Sequence, residues 1–130
     1  MIGPVMDGAA RAALDRGQLI DLTTTGAKTG LLRRVEIVLH SFDGHLYISG
    51  MPNPGRKRGW IANIEANPAI SVHLRGPVNL ELAATARVIT DPLERRPILD
   101  KVARVWHRND VSVMVEHSPL IEVSIPGFPS

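Results

Sequence analysis

The fold of this chain is decided by residues 33–50, which read RRVEIVLHSFDGHLYISG. The first part of this stretch largely alternates polar and apolar residues, as a strand with one buried face does. Asp43 and Gly44 then separate it from a second apolar run. An Asp-Gly pair between two such runs is typical of a type I′ hairpin turn, in which both central residues have positive φ. The sequence therefore predicts that residues 33–42 and 45–50 pair as antiparallel strands.

Similar strand patterns lie on both sides of this hairpin, and no repeat or linker separates them. Gly76 and Pro77 stand between two of the patterns, which indicates a second hairpin. Five or six antiparallel strands with few helices predict a mainly β (α+β) fold, a small barrel that forms a single domain over residues 1–130. The further strands are predicted at 19–25, 70–75, 78–89 and 120–125.

Short helices are expected to flank this barrel. Asp7 and Asp91 are predicted N-caps, and Pro97 is expected to kink or restart the helix that follows Asp91. Residues 110–117 have a spacing that fits either a strand or a short helix, and we favour the helix. Two further helices are predicted at 7–16 and 57–66, and the buried face of the helix after Asp91 is predicted at Ile98, Val102, Val105 and Trp106.

Composition excludes several classes of function. The chain has no cysteine, so it offers no disulfide, thiolate nucleophile or cysteine-ligated metal. A net charge of +2, with two tryptophans, one tyrosine and two phenylalanines, argues against nucleic acid as a partner.

No signal peptide or membrane-spanning run is visible, so we expect a cytoplasmic protein. No metal site is predicted, because the histidines are scattered without ligand spacing, at 40, 45, 73, 107 and 117.

The candidate binding residues centre on a basic turn. The run Thr23–Gly30 has small, flexible residues around Lys28, and Arg33 and Arg34 follow it. Backbone N–H groups beside such cations suit an anion, although a plain hairpin turn explains the glycines equally well. A second basic group, 56–58, could form another side of the same anion site, or it could be ordinary solvated surface charge.

Four aromatic or polar positions also allow two interpretations. Trp60 and Trp106 are most simply core anchors, since each lies on the apolar stripe of a predicted helix. Tyr47 and Ser49 share one face of a predicted strand and could donate hydrogen bonds to a bound heterocycle, or they could face water.

Three motifs resemble the deazaflavin-dependent nitroreductase family. They are LTTTGAKTG at 22–30 with Arg33, WIANIEANP at 60–68, and SPLIEV at 118–123. The resemblance implies an antiparallel split β-barrel related to flavin-binding split barrels. It also implies coenzyme F-420, an 8-hydroxy-5-deazaflavin with a phosphate and an anionic oligoglutamate tail, as cofactor.

The same resemblance implies a reductase that transfers a hydride from F-420 to a quinone, an activated double bond or a nitro compound. Tyr47 and His107 are candidate proton donors for that reaction. By motif, Lys28, Thr29, Gly30 and Arg33 would hold the phosphate and tail. Ser49, Gly50 and Met51 would approach the ring, Arg56, Lys57 and Arg58 would add further cofactor contacts, and Trp60 would lie near the pocket.

The chain departs from nitroimidazole-activating members in one segment. Those members have a tyrosine-rich stretch after the late helix, whereas this sequence has 106–109, WHRN. The identity of the small-molecule acceptor therefore stays open. Two alternatives also stay open: a non-catalytic carrier of a flavin-like, haem or fatty-acid ligand, and a charged module that contacts acidic partners or lipid head groups. We expect a homodimer, as is common for barrels of this kind.

Overall fold

A computed structural model describes residues 7–55 and 57–128 of the chain. Six antiparallel strands form a closed barrel in the order β1-β2-β3-β6-β5-β4. The predicted mainly β barrel is therefore confirmed. The strands are β1 Gln18–Thr25, β2 Leu32–Phe42, β3 His45–Ser49, β4 Ala69–Leu74, β5 Leu80–Val88 and β6 Leu120–Ser124.

The central hairpin forms as the sequence predicts. β2 and β3 pair from Leu39 opposite Ile48 to Phe42 opposite His45. Between them Asp43 and Gly44 have φ of 53° and 81°, which are the two positive values that a type I′ turn requires. The barrel closes through a pairing of β1 with β4, two strands that are far apart in the sequence.

Four helices flank the barrel, at α1 Gly8–Arg16, α2 Gly59–Ala66, α3 Pro92–Val105 and α4 Val111–His117. Asp7 caps α1 by accepting a 2.7 Å bond from the Ala10 N–H, and Asp91 caps α3 through the Leu93 N–H at 2.9 Å. The preference for a helix near residue 111 is confirmed. None of the described helices has the length and apolar character of a membrane span.

Two details of α3 correct the sequence predictions. Of the two alternatives predicted at Pro97, the restart is wrong, because the helix is continuous from Pro92 to Val105. The carbonyl that loses its partner there belongs to Leu93, which is 86% exposed, so water can reach that turn. Val105 is also not part of the buried face, because it is 53% exposed. Val102 is buried as predicted, and the buried stripe also includes Leu99, which was not predicted.

The buried side chains form two clusters. The larger one fills the barrel and includes Ile20, Leu22 and Ile48. The smaller one lies between the outer side of the β2–β3 hairpin and helices α3 and α4, where Leu99 and Met114 are fully buried. This arrangement leaves the end of α4 and the beginning of β6 near the loop that precedes α2, which is where the candidate site lies.

Candidate functional site

The basic turn between β1 and β2 is closed by its own hydrogen bonds. The Gly26 N–H donates to the Leu31 carbonyl at 2.7 Å, and the Gly30 N–H donates to the Gly26 carbonyl at 2.9 Å. The Thr29 hydroxyl accepts from the Leu31 N–H at 3.2 Å. Gly30 has a φ of 71°, which a residue with a side chain rarely adopts. Lys28 on this turn and Arg33 at the beginning of β2 are exposed, so their charges are open to a ligand.

Asn63 joins this turn to α2. Its Oδ1 accepts from the Ala27 N–H, and its Nδ2 donates to the Thr24 hydroxyl, both at 3.0 Å. Thr24 is 2% exposed, so the second bond satisfies a buried hydroxyl. The sequence motif contains Asn63, but no role was predicted for it. The signal that could have indicated a role for Asn63 was its polar side chain among the apolar positions of a short helix.

A cleft of about 730 Å³ opens between the loop before α2, the end of β5, the beginning of α3 and the junction of α4 with β6. Its wall includes apolar residues with partly exposed surface, such as Val88, Val115 and Pro119. Pockets of this volume typically hold small organic molecules. Three cations also line it, namely Lys57, Arg58 and Arg95.

Two of these cations come from the predicted basic group. Lys57 donates to the Glu65 carboxylate at 2.8 Å, an exposed pair whose contribution to stability is small. Arg58 stands at the N-cap position of α2 and donates from Nη2 to the Met51 carbonyl at 2.8 Å. The third member, Arg56, lies outside the described residues. Lys57 and Arg58 thus line the cleft rather than the basic turn.

Arg95 is the third cation, and sequence reasoning missed it. It is 8% exposed, and its guanidinium donates to the carbonyls of Ile89, Val115, Met114 and Ser118 at 2.5 to 3.3 Å. Burial without a carboxylate lowers the pKa of Arg95 from its usual value. The side chain therefore ties the end of α4 to the β5–α3 junction and holds one wall of the cleft in place.

The segment 49–51 lies against the back of this wall. Ser49 is 1% exposed, and its hydroxyl donates to the Pro119 carbonyl at 2.7 Å, so the alternative in which it faces water is wrong. A Cβ at Gly50 would stand 3.1 Å from the Pro119 ring and 3.3 Å from Arg58 Nη2. Met51 is 52% exposed, so it is the accessible side chain of the three.

The remaining predicted residues, Trp60, Tyr47 and His107, are not among those that line the cleft. Trp60 is 8% exposed and packs in the barrel core, which confirms the core-anchor interpretation. Tyr47 packs in the smaller cluster, where burial, and then Glu122, raise its pKa and make it a poorer acid. His107 is exposed just after α3, with a φ of 56°. Instead, the imidazole on the cleft wall belongs to His117.

The closed six-stranded barrel with its flanking helices defines the class of flavin-binding and F-420-binding split barrels. A solved F420 reductase has a TM-score of 0.70 at 20% identity, covering 95% of this chain and 98% of its own. An FAD-binding protein from Mesorhizobium loti has a TM-score of 0.56 at 20% identity, with 92% and 90% covered. A structure described as a domain-swapped dimer has a TM-score of 0.61 at 23% identity, with 82% and 79% covered.

Residues 5–123 match the F420H(2)-dependent quinone reductase family, and the chain belongs to that family. It is accordingly an F-420-dependent oxidoreductase, which confirms the cofactor and the reductase activity expected from the motifs. No protein of curated function matches the sequence.

Proposed function

We propose that this protein reduces a quinone, or another small acceptor with an activated double bond or a nitro group, in the cleft described above. The position of the cleft is the observation that supports this best. Arg58, the N-cap residue of α2, lies on the cleft wall, and Asn63 within α2 bonds the basic turn. The two residues are five positions apart, about 7.5 Å along a helix axis. One cofactor with an anionic tail can therefore reach both features.

The residues present fit the anionic part of F-420. Lys28 is an exposed cation on a turn that is closed by its own hydrogen bonds, and Arg33 is an exposed cation at the beginning of the strand that follows it. Among the described contacts, the N–H groups of Lys28 and Thr29 have no partner, so they can donate to a phosphate. We assign the phosphate and tail to this turn. Gly50 and Met51, next to the cleft wall, are assigned to the ring.

Bound, reduced F-420 supplies a hydride, so the protein needs no nucleophile of its own. The tasks of the chain are to bind the two molecules, to orient them and to limit access of water. We assign proton delivery to His117, because its imidazole lines the cleft and a ring N–H there can donate a hydrogen bond to the acceptor. Neither Tyr47 nor His107 is among the residues that line it.

The cofactor assignment is tested by titrating the protein with F-420, with flavin mononucleotide as a control. Replacing Lys28 and Arg33 together by alanine should weaken F-420 binding at least about tenfold, because charge-assisted hydrogen bonds are lost. The matched control changes Arg16 and Arg104, two exposed arginines outside the site, to alanine and should bind as the wild type does. Tight binding of flavin, haem or a fatty acid without F-420 binding would indicate a carrier instead.

The proton donor is tested with menadione as acceptor. His117→Gln should lower kcat with reduced F-420 by about 10²-fold, the usual contribution of general acid catalysis, with little change in KM. Tyr47→Phe serves as the control and should keep the wild-type rate. A normal kcat in His117→Gln, or a large loss in Tyr47→Phe, would refute this assignment.

We also propose that the protein is a cytoplasmic homodimer. The similar fold described as a domain-swapped dimer supports pairing of such barrels, and the lack of cysteine suits a reducing compartment. Light scattering should give twice the mass of the 14.2 kDa chain. A monomer mass at micromolar concentration would refute the dimer, and cell fractionation would test the location.

A further inference from the structure

The cations of the cleft differ in how they are neutralised. Lys57 has the Glu65 carboxylate at 2.8 Å. Arg58 and Arg95, by contrast, contact only carbonyl oxygens, and neither forms an ion pair with any described carboxylate. The other acid on the wall, Glu116, is 75% exposed at its side chain and lies 3.3 Å from His117. Two positive charges on the wall therefore lack a counter-charge.

Burying a charge without a counter-ion is costly, even when its hydrogen bonds are satisfied. At Arg95 four carbonyl dipoles hold the guanidinium, but they cannot cancel a full unit of charge. Arg58 is less buried, and its single bond to the Met51 carbonyl leaves most of its five N–H donors unused. A negative group in the cleft would gain charge-assisted hydrogen bonds from Arg58 and a favourable field from Arg95.

The rest of the wall suits a flat apolar body. Val88, Pro92, Val115 and Pro119, which are partly or fully exposed, line the same space of about 730 Å³. This is room for a bicyclic ring system with a substituent. The cleft thus combines an apolar surface with two unpaired cations at one site, a pattern that suits an amphiphilic anion better than a neutral molecule.

We propose that the cleft selects acceptors that carry an anionic group, such as a carboxylate or a sulfonate, on an apolar ring system. Arg58 contacts the anionic group, and Arg95 acts as a positioning residue whose charge favours it. This inference rests on the proposed function for its assignment of the cleft to the acceptor. The inference adds the requirement that the acceptor is negatively charged, which membership of the quinone, enone or nitro class does not imply.

The binding step is tested without any cofactor. Calorimetry compares naphthalene-2-sulfonate with the neutral naphthalene-2-sulfonamide at an ionic strength of about 0.1 M. The sulfonate should bind about tenfold more tightly to the wild type. That preference should disappear in Arg58→Gln and persist in Arg96→Gln, which removes an exposed arginine outside the cleft. Equal affinity of the two probes for the wild type, or an unchanged preference in Arg58→Gln, would overturn the proposal.

A competition experiment decides whether the anion that Arg58 and Arg95 bind belongs to the acceptor or to the cofactor. Naphthalene-2-sulfonate should still bind when the protein is saturated with F-420. Competitive displacement by F-420 would assign the two arginines to the cofactor tail and would overturn the proposal. Turnover of menadione with reduced F-420 tests the proposed function separately, so failure of one can be told from failure of the other. Arg58→Gln should also lower kcat/KM for 1,4-naphthoquinone-2-sulfonate about tenfold more than for menadione.

Discussion

Protonation of His40 should destabilise the fold in mildly acidic solution. His40 lies on β2, is 4% exposed and packs beside Phe42 and Trp106, with ring centroids 5.6 and 5.3 Å away. Its Nε2 has no hydrogen-bond partner among the described residues. Burial lowers the pKa of His40 from 6.5 to about 4, so the ring is neutral in the folded protein at neutral pH.

The sign of the effect follows from proton binding. In the unfolded chain the His40 ring takes up a proton near pH 6.5, whereas in the fold it does so only near pH 4. Between these values the unfolded state binds more protons, so stability rises with pH. The contribution is complete above pH 6.5 and is lost as the pH falls towards 4. A difference of this size corresponds to about 3 kcal/mol, a large part of the stability of a small domain.

The assay is urea unfolding followed by circular dichroism, at several pH values from 7.5 to 4, for the wild type and His40→Leu. The leucine variant should show a flatter stability profile, with the difference between the proteins growing by about 3 kcal/mol over this range. Glu81, Glu94 and Asp110 have lowered pKa values because of their hydrogen-bond partners, but they titrate in both proteins and cancel in the comparison. Parallel profiles would refute the reasoning.

Three further predictions concern side-chain hydrogen bonds, and each is measured as a free energy of unfolding in urea. Arg95→Met should lower the free energy of unfolding by roughly 3 kcal/mol, because four carbonyls lose their donor. A loss below about 1 kcal/mol would show that the Arg95 guanidinium does not hold these elements together. Asn63→Ala should cost about 1 to 3 kcal/mol and loosen the basic turn, with Asn63→Asp, which keeps only the acceptor, falling between. Ser49→Ala should cost about 1 kcal/mol and leave the F-420 Kd unchanged, whereas a large change in Kd would show that the hydroxyl contacts the cofactor.

The features that the sequence determined are those with local signals. Asp43 and Gly44 set the central hairpin because the turn requires their backbone conformations. Asp7 and Asp91 begin helices because a short side-chain oxygen can reach an N–H two or three residues later. The family motifs are likewise continuous runs, so the cofactor and the class of reaction were accessible before any contact was known. Alternating polarity also predicted most strands, since it depends only on neighbouring residues.

Only the tertiary structure decided which polar groups are already engaged and where the cleft lies. The Ser49 hydroxyl bonds a carbonyl 70 residues away, and the Ala27 N–H bonds a side chain 36 residues away, so neither partner could be found from neighbouring residues. In the sequence, Arg95 is one of several charged residues in a polar stretch. Its position on the same helical stripe as Leu99 and Val102 was the only local signal that it is buried. Whether a charge is exposed or buried, and whether it has a counter-ion, depends on the surfaces packed against it. Those surfaces come from distant parts of the chain, and they turn Arg58 and Arg95 into the wall of one site.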